Sequence, residues 1–187
     1  MAATHLVVLG NAEAVRWVLK NQRMAFSEVG RRTASRLSRG DTLVFYAGVK
    51  CWPALGGKVR PKAGIMIGSA VVLTEVARLR TAAQVGGRKF EYGCEVFFER
   101  LAALGSGLSI SDVKNDLELT AGRANYGQVL RRTPILLSSA DTALLSARLE
   151  SVTAPYEDSV GAYFGTVTAS ESTAKNPPPS DHEAGII

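Results

Sequence analysis

Four short runs of apolar, β-branched and aromatic residues, separated by glycine-marked turns, limit the fold of this chain more than any other feature. The runs are HLVVL at 5–9, TLVFYA at 42–47, GIMIGSAVVLTEV at 64–76 and EVFFERL at 95–101. Such runs are typical of strands, and Gly68 inside the third indicates a β-bulge. Helical spacing is confined to short stretches, near 13–20, 31–39, 112–119 and 138–150. The pattern therefore predicts a compact mixed α/β barrel rather than a βαβ series.

The length of 187 residues leaves room for one medium domain, which we place at residues 1–156. From Glu157 the composition shifts to Ser, Thr, Ala and Gly and ends in NPPPSDHEAGII, so residues 157–187 are predicted to form a mostly disordered acidic tail. No stretch approaches the ~20 apolar residues that span a bilayer. The opening MAATHLVVLG lacks the pattern of a secretory signal. We therefore expect a cytoplasmic protein.

Cysteine and histidine are too scarce to indicate a metal, a cofactor or a disulfide framework. Cys51 and Cys94 suit a reducing compartment. His5 and His182 lack the spacing of zinc ligands, and a Ser-His-Asp relay would have to use His5, because His182 lies in the predicted tail. We expect neither metal nor cofactor.

Motifs for nucleotide or glycoside hydrolysis are also missing. GGKVRPKAG lacks the P-loop pattern, and GIMIGSA does not match the dinucleotide-binding glycine pattern. Glu91, Glu95 and Glu99 lie on a predicted strand, where Glu95 and Glu99 share a face that we expect to be solvated. Glycosidases need two carboxylates set across a cleft.

Positive charge is concentrated in residues 16–62, which carry eleven basic side chains against two acids, while the whole chain has a net charge of +5. Such a window indicates a surface that faces a polyanion, although single arginines commonly only solvate a helix. Arg32, Arg36 and Arg39 are predicted to form one outward stripe of a helix that Gly40 ends. The candidate phosphate ligands are Arg31, Arg32, Arg36, Arg39, Lys50, Lys58, Arg60 and Lys62.

Aromatic residues are few, yet five of them fall in the basic window: Trp17, Phe26, Phe45, Tyr46 and Trp52. Cations that hold phosphates, interleaved with rings that stack on bases, are typical of proteins that bind single-stranded or extruded bases. Trp17 and Phe45 fit a core, whereas Tyr46 and Trp52 fit a core or a pocket equally well. Asn125 and Tyr126, in a polar loop, are further candidates, and Asn125 suits either a base edge or a turn.

The segment from Phe26 to Tyr46, FSEVGRRTASRLSRGDTLVFY, resembles the early signature of EVE domains, which belong to the PUA-like superfamily and are related to YTH readers. Their pattern there is an aromatic residue, a Val-Arg-rich turn, a helix, Gly-Asp and a strand that ends in Tyr. GIMIGSAV at 64–71 resembles their next strand. The chain departs from the pattern at Phe26, where many relatives have Trp, and after Tyr46, where Ala-Gly replaces His-Ser.

The resemblance implies a PUA-like pseudo β-barrel of five or six strands with flanking helices, whose pocket accepts a nucleobase, often a modified one. The positions carried over to the pocket rim are Gly10, Asn11, Phe26, Val29, Gly30, Tyr46 and Ala47. Three further pocket candidates come from composition and not from the resemblance: Trp52, Asn125 and Tyr126.

The sequence thus favours non-catalytic binding of RNA or DNA, either single-stranded or with a flipped base. One alternative is an enzyme that resembles the nucleases of the ASCH group and cleaves RNA with Lys, Arg and Tyr at the same pocket. The other is a module that recruits a protein partner through the tail or a strand edge. The choice between RNA and DNA, the base and the oligomeric state stay open.

Overall fold

A computed structural model of the protein describes residues 2–56, 61–131 and 133–165. Its strands are β1 Thr4–Leu9, β2 Arg23–Phe26, β3 Thr42–Ala47, β4 Ile65–Val72, β5 Ala77–Val85, β6 Arg88–Leu101, β7 Leu108–Ser109, β8 Ile135–Leu136 and β9 Ala154–Pro155. Its α-helices are α1 Ala12–Asn21, α2 Glu28–Ala34, α3 Trp52–Leu55, α4 Ile110–Val113, α5 Tyr126–Val129, α6 Ser139–Val152 and α7 Tyr156–Tyr163.

The strands form one curled sheet in the order β2-β6-β4-β3-β1-β8, with β5 and β9 on β6 and β7 on β4. The long strand β6 causes the curl, because it pairs with β5 and β2 near its start and with β4 further along. β1 and β3 are parallel, and the other pairs are antiparallel. This half-open barrel with flanking helices confirms the predicted mixed α/β fold of PUA-like type.

The predicted bulge at Gly68 is confirmed. Phe45 pairs with Gly68 and Tyr46 with Met66, so β4 has one extra residue at this point. A Cβ on Gly68 would lie 2.6 Å from the main-chain oxygen of Arg100 on β6. Glycine therefore allows the two strands to approach each other where the sheet bends.

The two faces of the sheet carry two separate cores, because successive residues of a strand point to opposite faces. β3 contributes Phe45 and Ala47 to the first core, which α1, α3 and α7 cover. The neighbouring Val44 and Tyr46 belong to the second core, under α4 and α6.

Helix α2 is shorter than predicted. It ends at Ala34 instead of continuing to Gly40. The Ser35 hydroxyl donates to the Arg32 carbonyl, and the chain then turns so that Leu37 is buried in the first core. The buried Asp41 carboxylate accepts the Ser38 N–H at 2.9 Å and completes the turn. Tertiary contacts therefore end the helix earlier than its local sequence predicts. The predicted helical stripe of Arg32, Arg36 and Arg39 is wrong, because only Arg32 lies in the helix.

The structured part extends past the predicted boundary at residue 156. Helix α7 begins at Tyr156, and its Tyr163 is buried in the first core. Residues 157–165 therefore belong to the domain, while the rest of the predicted tail lies outside the described residues. Within the described ranges, no helix combines the length and apolar character needed to cross a bilayer.

Candidate nucleic-acid interface

The candidate interface begins at Tyr92 on β6. Phe26 of β2 pairs with Tyr92 on one side, and Arg78 of β5 pairs with it on the other. Residues directly opposite in an antiparallel pair project from the same face of the sheet. Phe26 is buried, Tyr92 is half-buried against the first core, and Arg78 is exposed. Phe26, Tyr92 and Arg78 thus form a row across three strands, from the buried core to an exposed basic side chain.

Arg31 of α2 lies on the Tyr92 ring. Its guanidinium carbon is 4.9 Å from the ring centroid, and Nη1 donates to the Tyr92 hydroxyl at 3.3 Å. The same Nη1 is 3.4 Å from Glu28 Oε1. Ser27 sets the start of the helix, because its Oγ accepts the Gly30 N–H. Local capping therefore positions Arg31, and β6 supplies the ring beneath it.

A cleft of about 710 Å³ opens beside this pair. Its lining residues are Glu28, Val29, Arg31, Arg32, Thr33 and Ser35. Two arginines face one glutamate there, and the Val29 side chain is 89% exposed. All of the lining residues come from one segment, so the cleft is open to solvent and presents two positive charges beside an exposed apolar side chain.

Most of the predicted phosphate ligands are exposed. Those with exposed side chains are Arg31, Arg32, Arg36, Arg39, Lys50 and Lys62. Lys58 and Arg60 lie outside the described residues. Two other arginines of the basic window are engaged elsewhere. Arg16 donates to the Tyr163 and Ala54 carbonyls and so ties α1 to α7 and α3, while Arg23 pairs with Glu95 at 2.7 Å.

The structure does not bring the aromatic residues of the predicted pocket together. Tyr46 belongs to the second core, whereas Phe26, Ala47 and Trp52 belong to the first. None of the four is more than 8% exposed. The sheet therefore separates Tyr46 from the others, and the protein's own packing covers these side chains.

The remaining predicted pocket residues lie at three places. Gly10 and Asn11 are exposed before α1, where Asn11 Oδ1 accepts the Ala14 N–H and caps the helix. Val29 lines the α2 cleft, with Gly30 next to it in the helix. Asn125 is exposed before α5, and Tyr126 packs against the second core. Of the ten, only Val29 and Gly30 lie on the segment that forms the cleft.

Sequence reasoning missed Tyr92 and Arg78. The period-two pattern of β6 places Tyr92 on the same face as the buried Cys94 and Val96, which is a local signal for a ring at the core edge. Nothing local shows that Phe26 and Arg78 flank it, because strand register across three strands is a tertiary property.

Cys51, Cys94 and His5, which could take part in covalent or acid-base chemistry, are buried. Burial raises the pKa of Cys51 to about 11 and that of Cys94 to about 12, so neither is a thiolate at neutral pH. The buried His5 lies 3.4 Å from Asp41, and its pKa is lowered because burial outweighs that carboxylate. Across residues 2–56, 61–131 and 133–165, no group of three or more His, Cys, Asp or Glu could hold a metal ion.

Comparison with known proteins gives fold relatives. No protein-family model and no curated protein sequence matches the chain. The structure is similar to the Pho92 YTH domain in complex with m6A, with a TM-score of 0.53, 10% identity and coverage of 84% of this chain and 90% of that one. The Mmi1 YTH domain complex with RNA is similar with a TM-score of 0.52 and 9% identity, and the match covers 80% of this chain and 79% of that one. A hypothetical protein from Leishmania major is similar with a TM-score of 0.50 and 14% identity, and the match covers 81% of this chain and 96% of that one. These likenesses show a shared fold.

Proposed function

We propose that the protein binds nucleic acid without turnover, and that the α2 cleft receives a base from a single-stranded or base-flipped strand. The observation that carries this proposal is the contact of Arg31 with Tyr92 beside the open α2 cleft, where two arginines lie next to an exposed apolar side chain. The fold shared with YTH domains solved with RNA and with m6A supports a modified base as a candidate ligand. Membership of the EVE group and a cytoplasmic setting belong to the same proposal.

Exposed arginines on α2, after it and on β5 suit the phosphates of the strand. Arg32 lies on α2, Arg36 and Arg39 follow the helix, and Arg78 pairs with Tyr92 from β5. Phosphate contacts fix the register of a strand but carry no sequence information. Base selection therefore falls to the cleft, and the arginines supply affinity that depends on salt.

The test is fluorescence anisotropy with short single-stranded RNA and DNA, with and without one N6-methyladenosine, over a series of salt concentrations. Log affinity should fall linearly with log salt, by about 0.7 for each phosphate contacted. Arg36→Ala should weaken all sequences alike and reduce the slope by about that amount. Arg148→Ala on α6 is the matched control, because it removes the same charge from an exposed position over the second core.

Two results would count against this proposal. Affinity that does not change with salt would remove the electrostatic basis of binding. Fragments from labelled RNA incubated with the protein, with and without a chelator, would favour the ribonuclease alternative.

A further inference from the structure

We infer that Arg31 is the stacking residue of the site, and that a bound base lies on an exposed face of its guanidinium. The inference rests on the proposed function and names the residue that contacts the face of the base. It replaces Tyr46 and Trp52, whose rings the sequence favoured for this task.

The first step is that the guanidinium is held as a flat surface. The guanidinium carbon lies 4.9 Å from the Tyr92 ring centroid, and hydrogen bonds from Nη1 to the Tyr92 hydroxyl and to Glu28 fix the orientation of the plane. A guanidinium is planar, delocalised and weakly hydrated, so it stacks on rings in a way that an ammonium cannot. Arg31 is therefore arranged for stacking before any ligand arrives, which lowers the ordering cost of binding.

The second step is that a face of the guanidinium plane is reachable. The Arg31 side chain is 53% exposed and lines the α2 cleft. Bases of single-stranded RNA stack on arginine planes as well as on aromatic rings. The exposed Val29 in the same cleft offers apolar contact to a base that enters.

The third step concerns the hydrogen-bond donors that stay available. Both side-chain bonds of Arg31 within the described part of the chain use Nη1. Nε and Nη2 have no partner among the described residues, so this edge can donate to a phosphate oxygen or a base acceptor while the plane stacks.

The predicted stacking rings do not compete for the base. Tyr46 is 8% exposed and Trp52 is 2% exposed, each inside a core. Arg31 covers one face of the Tyr92 ring. The flat group presented to the cleft is therefore the guanidinium itself.

The experiment compares two nine-residue strands, one wholly abasic and one with a single central adenosine among abasic sites. Wild-type protein should bind the adenosine strand about tenfold more tightly, within the range known for stacking on one base. Arg31→Lys keeps the charge and removes the plane, so this ratio should fall close to one, with abasic affinity within about twofold of wild type. Arg148→Lys, the same change at an exposed position on α6 over the second core, should leave the ratio intact.

The outcomes separate the inference from the function on which it rests. A ratio that persists in Arg31→Lys would overturn the stacking role while nucleic-acid binding stands. Failure of wild-type protein to bind either strand at low salt would overturn the proposed function as well. Equal unfolding midpoints for the two lysine variants would show that the comparison reports binding rather than folding.

Discussion

The Tyr163 hydroxyl donates a hydrogen bond of 3.0 Å to the main-chain carbonyl of Ala102. Tyr163 is fully buried, although it lies beyond the predicted end of the domain. The bond joins α7 to the residue that follows β6. Helix α7 is therefore part of the core and not the start of a tail.

Removal of the Tyr163 ring should destabilise the protein strongly. Tyr163→Ala is expected to lower the free energy of unfolding by about 3–5 kcal/mol, because it leaves a large cavity. Tyr163→Phe should cost about 1–2 kcal/mol, because the Ala102 carbonyl loses its donor. Urea denaturation followed by circular dichroism measures both. Phe164→Ala, at the exposed neighbouring position, is the control, and an equal effect of the two alanine variants would contradict the buried role of Tyr163.

A side chain at Gly93 should disturb the sheet beneath the candidate site. A Cβ there would lie 2.4 Å from the Met24 carbonyl oxygen on β2 and 3.1 Å from a Leu79 methyl group on β5. Gly93→Ala should therefore lower the free energy of unfolding by about 1–3 kcal/mol. Gly127→Ala is the control, because a Cβ on that helical glycine meets nothing within 4 Å. A loss at Gly93 no larger than at Gly127 in thermal denaturation would contradict the close approach.

His5 should make stability depend on pH. Burial lowers its folded-state pKa below the ordinary value of 6.5, although Asp41 opposes the shift. The unfolded chain then binds the proton more readily, so stability falls as the pH drops below about 6.5 toward the folded-state pKa. Urea midpoints of a His182→Gln background, in which His5 is the remaining imidazole, should decrease over this window, and His5→Gln should flatten the slope. Greater stability on acidification would mean that the pair with Asp41 outweighs burial.

Tyr46 should affect folding rather than base recognition. Its phenol pKa is raised by burial in the second core and by Tyr126, which agrees with an enclosed ring. Tyr46→Ala should lower the free energy of unfolding by about 3–5 kcal/mol. Tyr46→Phe should keep the ring and leave the adenosine-to-abasic affinity ratio of the two nine-residue strands within about twofold of wild type. A lost ratio in a stably folded Tyr46→Phe would return Tyr46 to the site, as the sequence predicted.

Local composition and periodicity were sufficient to predict β1, β3, β4 and β6, because buried strands need continuous apolar, β-branched runs. The start of α6 was predictable in the same way, since the Ser138 hydroxyl accepts the Asp141 N–H as expected of a cap. β5 was missed, because ARLRTAAQV is mostly exposed and lacks an apolar period. Core elements without a long apolar run, such as α7 with its buried Tyr163, were missed as well, because their burial depends on long-range packing.

Exposure of the basic side chains was also determined by the sequence, since solvation keeps arginine and lysine at the surface in almost any fold. Which aromatic residue lies at the candidate site was not determined by the sequence. Whether Tyr46 faces a pocket or a core depends on which helices cover that face of β3, and the meeting of Arg31 with Tyr92 depends on how β2, β6 and β5 align. Both are long-range pairings, and no local propensity carries the free energy that selects among them.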